Sequence, residues 1–130
     1  PLAHSRSDRW IGRRCPDVSW GEDGSSIYDL FTGTGFTIFR LGHGSISDTM
    51  WKRVICAAGP EVVTIDAATP DGSISEEAKA FAHSLAVFEG SIVIVRPDYY
   101  LGPVAQDVDA VVSWFTQIQN LDDLEGTAML

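Results

Sequence analysis

Ser91-Ile-Val-Ile-Val-Arg-Pro-Asp-Tyr-Tyr-Leu101 decides the fold class of this 130-residue chain. Ile92 to Val95 are β-branched and apolar without a break, which predicts a strand buried on both faces. Arg96-Pro97-Asp98 stops it, because Pro97 has no N–H to give a ladder and Pro-Asp is turn chemistry. Tyr99, Tyr100 and Leu101 then restart an extended run. A central strand, a tight turn and an edge strand are therefore expected in succession. Two strands joined by so short a turn run antiparallel.

Upstream of this stretch, the apolar spacing alternates between strand and helix periods. Ser25 or Ser26 can cap a short helix over 27–31, with Asp29 in its first turn. Phe36 to Leu41 reads as a strand, with Phe36, Ile38 and Arg40 on one face. Ser47 and Asp48 start a helix to about Ala58, whose Met50, Trp51, Val54, Ile55 and Ala58 follow helical spacing. Gly59-Pro60 stops it. Val62 to Ile65 is a short buried strand ended by Asp66. Ser73 and Glu76 form a capping-box pattern before a stripe of Ala78, Phe81, Ala82, Leu85 and Phe88, closed by Gly90. Downstream, Gly102-Pro103 separates the edge strand from a last helix of about 106–119. Val108, Val111, Val112, Phe115 and Ile118 form its buried side.

One domain is expected from the length, over residues 12–121, with a polar arm or linker at 1–11 and an acidic tail at 122–130 that frays. Hydrophobic residues make up 45% and charged residues 21%, ordinary for a globular chain. A net charge of −9 argues against nucleic acid and anionic membranes as partners. No apolar run approaches a membrane span and no signal peptide is evident, so a cytoplasmic setting is expected. Cys15 and Cys56 make no disulfide framework and are read as reduced thiols.

Ile94-Val-Arg-Pro-Asp98 followed by Tyr and Leu resembles the "VRPDGYV" signature near the C-terminus of FAD-dependent aromatic-ring hydroxylases of the phenol hydroxylase group. A second segment is similar to the same family: Gly12-Arg-Arg-Cys-Pro-Asp17, Asp23-Gly24, Ser26 to Phe31, and Gly35-Phe-Thr-Ile-Phe39. Both segments stand in the family's order and span roughly residues 12–118. The resemblance implies an α/β, thioredoxin-like C-terminal domain: a four-stranded mixed core sheet flanked by helices. Periodicity alone leads to the same topology. The usual core strand order of that fold would place Phe36–Arg40 between Val62–Ile65 and Ile92–Val95, with Tyr99–Leu101 at the edge, and the first βαβ crossover is expected to be parallel and right-handed. The family's signature falls here on Gly35, Phe36, Arg96, Pro97 and Asp98. Tyr99 departs from it, standing where the family has the freest residue, glycine.

Thioredoxin-like domains that exchange disulfides keep two cysteines where the first core strand meets the first core helix, whose N-terminus lowers a thiol pKa. Here that corner reads Leu41-Gly-His-Gly-Ser-Ile-Ser47, without cysteine. Glu89-Gly90-Ser91 stands where active members carry a proline. Cys56 is read as a small buried or half-buried apolar residue of the first helix rather than a redox sensor. Peroxidase chemistry at Cys15 would need a cation nearby, and the directions of Arg13 and Arg14 are not set by sequence. His43 lies at the sheet's C-terminal rim with Ser45 and Ser47, but no acid is placed to orient it, so it is read as a solvated loop residue. No His, Cys, Asp or Glu set has metal spacing, and the GxGxxG of a dinucleotide site is absent. No catalytic, cofactor or metal residue is therefore assigned.

The resemblance implies a non-catalytic domain of an FAD- and NAD(P)H-dependent phenol-type hydroxylase, with both cofactors held elsewhere in the parent protein. Its expected partners are the upstream FAD and substrate domains, or a second subunit in a homodimer. Trp10, Trp20 and Tyr99–Leu101 are the candidate contact surface. Arg96 is expected to tie down the Asp29–Gly35 segment, pairing with Asp29, Asp98 or a carbonyl. The alternative reading is a free-standing thioredoxin-like redox or binding protein. A natural start Met and a cysteine-dependent activity would mark that alternative.

Overall fold

A computed structural model describes residues 12–21, 24–31, 34–44 and 46–129. The predicted arm at 1–11 and its Trp10, and also Ser45, lie outside these residues. A small hairpin, β1 (Ser19–Trp20) and β2 (Ser25–Ser26), leads into a 3-10 turn at Ile27–Leu30. Ser26 caps that turn by accepting from the Tyr28 N–H. The main sheet holds β3 (Thr37–Leu41), β4 (Val63–Ala67), β5 (Ser91–Val95) and β6 (Leu101–Ala105) in the order β4-β3-β5-β6. β3 and β4 are parallel, and the other two pairs are antiparallel. Helix α1 (Asp48–Ala58) connects β3 to β4, α2 (Lys79–Leu85) precedes β5, and α3 (Val108–Met129) follows β6. This is the thioredoxin-like fold, with the predicted strand order.

The sheet works because β5 is apolar on both faces from Ile92 to Val95. Val93 and Val95 face one core with Phe39, Leu41, Phe81 and Leu85. Ile92 and Ile94 face the other, with Ile38, Trp51, Val54, Val111 and Phe115. Full burial of one such side chain is worth roughly 1.5–3 kcal/mol. Two cores on one strand explain why the run cannot alternate with polar residues. Helix α1 starts as predicted, with Ser47 Oγ accepting from the Met50 N–H.

Several boundaries differ from the sequence expectation, each for a local reason. The edge strand runs through Gly102-Pro103 to Ala105 rather than stopping at Leu101. Val95 pairs with Leu101 and Val93 with Val104, so β6 carries one extra residue, and Pro103 lies within that bulge. A missing N–H is tolerated in a bulge on an edge strand. β4 begins one residue late and continues through Asp66, whose carboxylate has a buried partner.

Ser73 does not cap a helix; its N–H is held by Thr69 Oγ1 and Asp71 instead. A 3-10 turn at Glu76–Ala78 intervenes before α2. Helix α2 ends four residues before Gly90, at Ala86 in the left-handed region (φ 54°). The Val87 N–H reaches Ala82 O and the Ala86 N–H reaches His83 O, a Schellman ending. The chain thereby leaves the helical stripe, and Phe88 is 72% exposed rather than buried. Helix α3 is helical to Met129, ten residues past its predicted end. Among 106–129, the first helix-breaking residue type is Gly126.

Candidate functional site

The signature residues meet because β3 and β5 are antiparallel, which brings the entry of β3 beside the exit of β5. Thr37 faces Val95 in register, so Gly35 and Phe36 lie near Pro97. A groove of about 270 Å³ opens there, lined by Gly35, Phe36, Val62, Pro97, Phe115 and Ile118 among others. Gly35 is needed at this entry: a Cβ would stand 3.0 Å from Glu61 O. Phe36 meets Trp114 and Phe115 edge-on, with ring centroids at 5.7 and 6.0 Å. The groove is thus floored by the start of β3 and walled by α3.

Pro97, Asp98 and Tyr99 form a three-residue hairpin connection. The Tyr99 N–H reaches Arg96 O at 2.9 Å and the Arg96 N–H reaches Tyr100 O at 2.8 Å. Tyr99 has φ +69°. That is a turn followed by a left-handed bulge residue, the place where glycine costs least. Asp98 accepts from Arg96 Nη2 at 2.7 Å and from the Tyr100 N–H at 3.1 Å. Arg96 therefore closes its own loop through Asp98, one of its three expected partners. The contact with the preceding segment comes from Tyr99, whose ring packs on Phe31 and Tyr28 at 5.8 and 5.3 Å.

The corner between β3 and α1 is closed by backbone. Gly44 has φ +51°, and a Cβ on it would lie 2.6 Å from Glu89 O and from Gly90 Cα. The His43 N–H reaches Gly72 O and the Gly90 N–H reaches Leu41 O. No side chain fits at position 44. Ser47 is committed as the helix cap. His43 is half-buried, with Nε2 3.7 Å from Asp48 Oδ1. An acid does stand beside it, contrary to the sequence expectation, because the first turn of α1 folds back over the loop. That carboxylate already serves Arg40.

Arg40 is the residue that sequence reading underrated. It is 1% exposed at the end of β3. Nε and Nη2 donate to Asp66 Oδ1 and Oδ2 at 2.9 and 2.6 Å. Nη2 also reaches Asp48 at 3.0 Å, and Nη1 reaches Ile46 O at 3.2 Å. Its guanidinium carbon lies 5.5 Å from the Trp51 ring centroid. Burial opposes its charge, but hydrogen bonds to Asp66 and Asp48 outweigh that and raise its pKa. The hydrogen bond from Arg40 in turn holds the Asp48 carboxyl below its usual value. One guanidinium thus joins β3, β4, the corner loop and α1. The available signal was that Arg40 and Asp66 both fall at the C-terminal ends of neighbouring parallel strands.

Neither thiol sits at a helix N-terminus. Cys15 is buried, and burial, with Asp17 adding, pushes its thiol up to about 12. Such a thiol is almost wholly protonated near neutrality. Cys56 is exposed on α1, not buried as its helical position suggested. Trp20 is also not a free surface residue: it is half-buried, with its ring 5.4 Å from Phe39. Among the described residues no group of three or more His, Cys, Asp or Glu could hold a metal ion. No described helix is long and apolar enough to cross a membrane.

No protein-family model and no curated protein matches this chain. Among solved structures, the fold is similar to part of aklavinone-11 hydroxylase, crystallised as a ternary complex with FAD and aklavinone. The TM-score is 0.50 and the sequence identity 18%, over 76% of this chain and 20% of that one. The chain thus spans one fifth of that protein's length, and the likeness is one of fold.

Proposed function

We propose that this chain is a non-catalytic, thioredoxin-like domain of an FAD- and NAD(P)H-dependent phenol-type hydroxylase, whose cofactors bind outside it. What carries the reading is the Gly44 contact with Glu89–Gly90. The position where this fold does thiol chemistry has no room for a side chain. The ion pairs of the buried Arg40 guanidinium with Asp66 and Asp48 then fix that corner as structure. The fold likeness to part of a hydroxylase crystallised with FAD supports the same reading. So does the meeting of Gly35, Phe36 and Pro97 at one groove, although they are some 60 residues apart in the chain.

In this reading the domain packs against the FAD and substrate domains of its parent, or against a second subunit. The groove beside Phe36 and Phe115 is its contact surface. Two free thiols fit the reducing cytoplasm. A disulfide-reduction assay with an insulin substrate tests the absence of redox chemistry. The expected result is no turnover above that of a small free thiol. Turnover abolished by Cys15→Ser or Cys56→Ser would establish the redox alternative instead. The reading frame upstream of Pro1 tests the parentage: a strand followed by GxGxxG is expected there, and an initiating Met adjoining Pro1 would overturn it.

A further inference from the structure

Residues Gly12 to Cys15 form a short strap along the loop and first residue of β6. An antiparallel bridge joins Arg14 to Tyr100. Three backbone hydrogen bonds hold it: the Gly12 N–H to Leu101 O at 3.0 Å, the Leu101 N–H to Arg13 O at 2.7 Å, and the Cys15 N–H to Tyr99 O at 2.8 Å. Tyr28 clasps the strap. Its hydroxyl donates to Cys15 O at 2.5 Å and accepts from Arg14 Nε at 3.1 Å. The Arg14 guanidinium carbon also lies 5.6 Å from the Tyr28 ring centroid.

The strap covers the outer edge at Leu101, where β6 begins and where an added strand would otherwise start to pair. Further along that strand Pro103 offers no N–H. Of the four strap residues only Cys15 is buried; Gly12, Arg13 and Arg14 are exposed. A segment whose side chains are mostly exposed opens at lower free energy than the core strands.

We propose that this strap is a latch that opens as a unit ahead of global unfolding. Its opening uncovers the Tyr99–Leu101 edge and the Cys15 thiol in one step. Nothing in it depends on the proposed parentage.

Alkylation of Cys15 in a Cys56→Ser background, followed against urea with amide exchange at Leu101, tests the latch. Expected is labelling with a much weaker urea dependence than global unfolding, in step with Leu101 exchange. Tyr28→Phe, which removes the clasp hydroxyl, should raise both rates about five- to tenfold and leave exchange at Ile94 unchanged. Labelling and exchange that follow the urea dependence of global unfolding would overturn the latch. So would labelling as fast as that of an unprotected thiol.

Discussion

Tyr99 stacks on Phe31 at an interplanar angle of 26° while its own backbone occupies the left-handed region. A large side chain stands where the loop geometry favours glycine. The ring contacts with Phe31 and Tyr28 offset the backbone strain. Three substitutions separate the two effects. Tyr99→Ala keeps the positive-φ penalty and loses the rings, whereas Tyr99→Gly loses the rings and relieves the penalty. Tyr99→Ala should be less stable than Tyr99→Gly by about 1 kcal/mol in urea denaturation. Tyr99→Phe should be close to wild type. An alanine variant as stable as the glycine variant would show that the backbone is unstrained.

Gly44 and Gly59 both have positive φ, but only Gly44 is crowded. Gly44→Ala combines left-handed strain with a backbone clash and should cost roughly 2–4 kcal/mol. Gly59→Ala meets nothing within 4 Å, so its cost, about 1–3 kcal/mol, comes from the glycine-restricted backbone at φ 93°, ψ 171° alone. Equal midpoints in chemical denaturation would mean the corner yields, and would remove the steric case against a side chain there.

Asp66 grips Arg40 with both oxygens and Asp48 with one. Asp66→Ala leaves a buried guanidinium short of its main partner. A fully buried broken pair costs about 3–5 kcal/mol, and the half-exposed Asp66 carboxylate reduces this to roughly 2–3 kcal/mol. Asp48→Ala should cost less, because that carboxylate is mostly exposed. The order of the two melting temperatures checks the assignment; a reversed order would contradict it.

Acid should reveal the same network. Asp48 is held below its ordinary value of 3.8, chiefly by the hydrogen bond from Arg40, and Asp71 below its own by the hydroxyl of Thr69. A depressed carboxyl contributes stability that is fully present above the unfolded pKa and is lost as pH falls through the folded one. Stability from these groups should therefore be level near neutrality and decline below about pH 4. Asp48→Asn should flatten part of that decline in a series of urea midpoints. An unchanged acid limb would show that Asp48 does not sense Arg40.

The interior place of β5 was legible because a run buried on both faces can occupy only the interior of a sheet, whereas the order of its neighbours came from the resemblance. The stripes of α1, and of α2 as far as Leu85, were legible for the same reason, since periodic apolar residues have one place to go. Pro103 misled because a proline ends a central strand but not an edge strand with a bulge, and edge position is a property of the assembled sheet. Phe88 misled because Ala86 supplies the left-handed ending usually left to glycine. The Arg40 network needs two strands in register and a helix turn above them, so no single window of sequence contains it. The strap is a backbone pairing between residues 12–15 and 99–101, and backbone pairing leaves little mark on residue type.

The Arg40–Asp66 pair also governs which wrong structures are forbidden. Side chains alternate across the sheet, so displacing β3 by one position would turn Arg40 toward the Phe39 and Phe81 side. Phe39, Leu41, Phe81, Val93 and Val95 cluster there. A bare guanidinium would then be stranded in hydrocarbon without a carboxylate, which is prohibitive. A cation embedded in a short strand therefore acts as an alignment key, rejecting slipped pairings that hydrophobicity alone would accept.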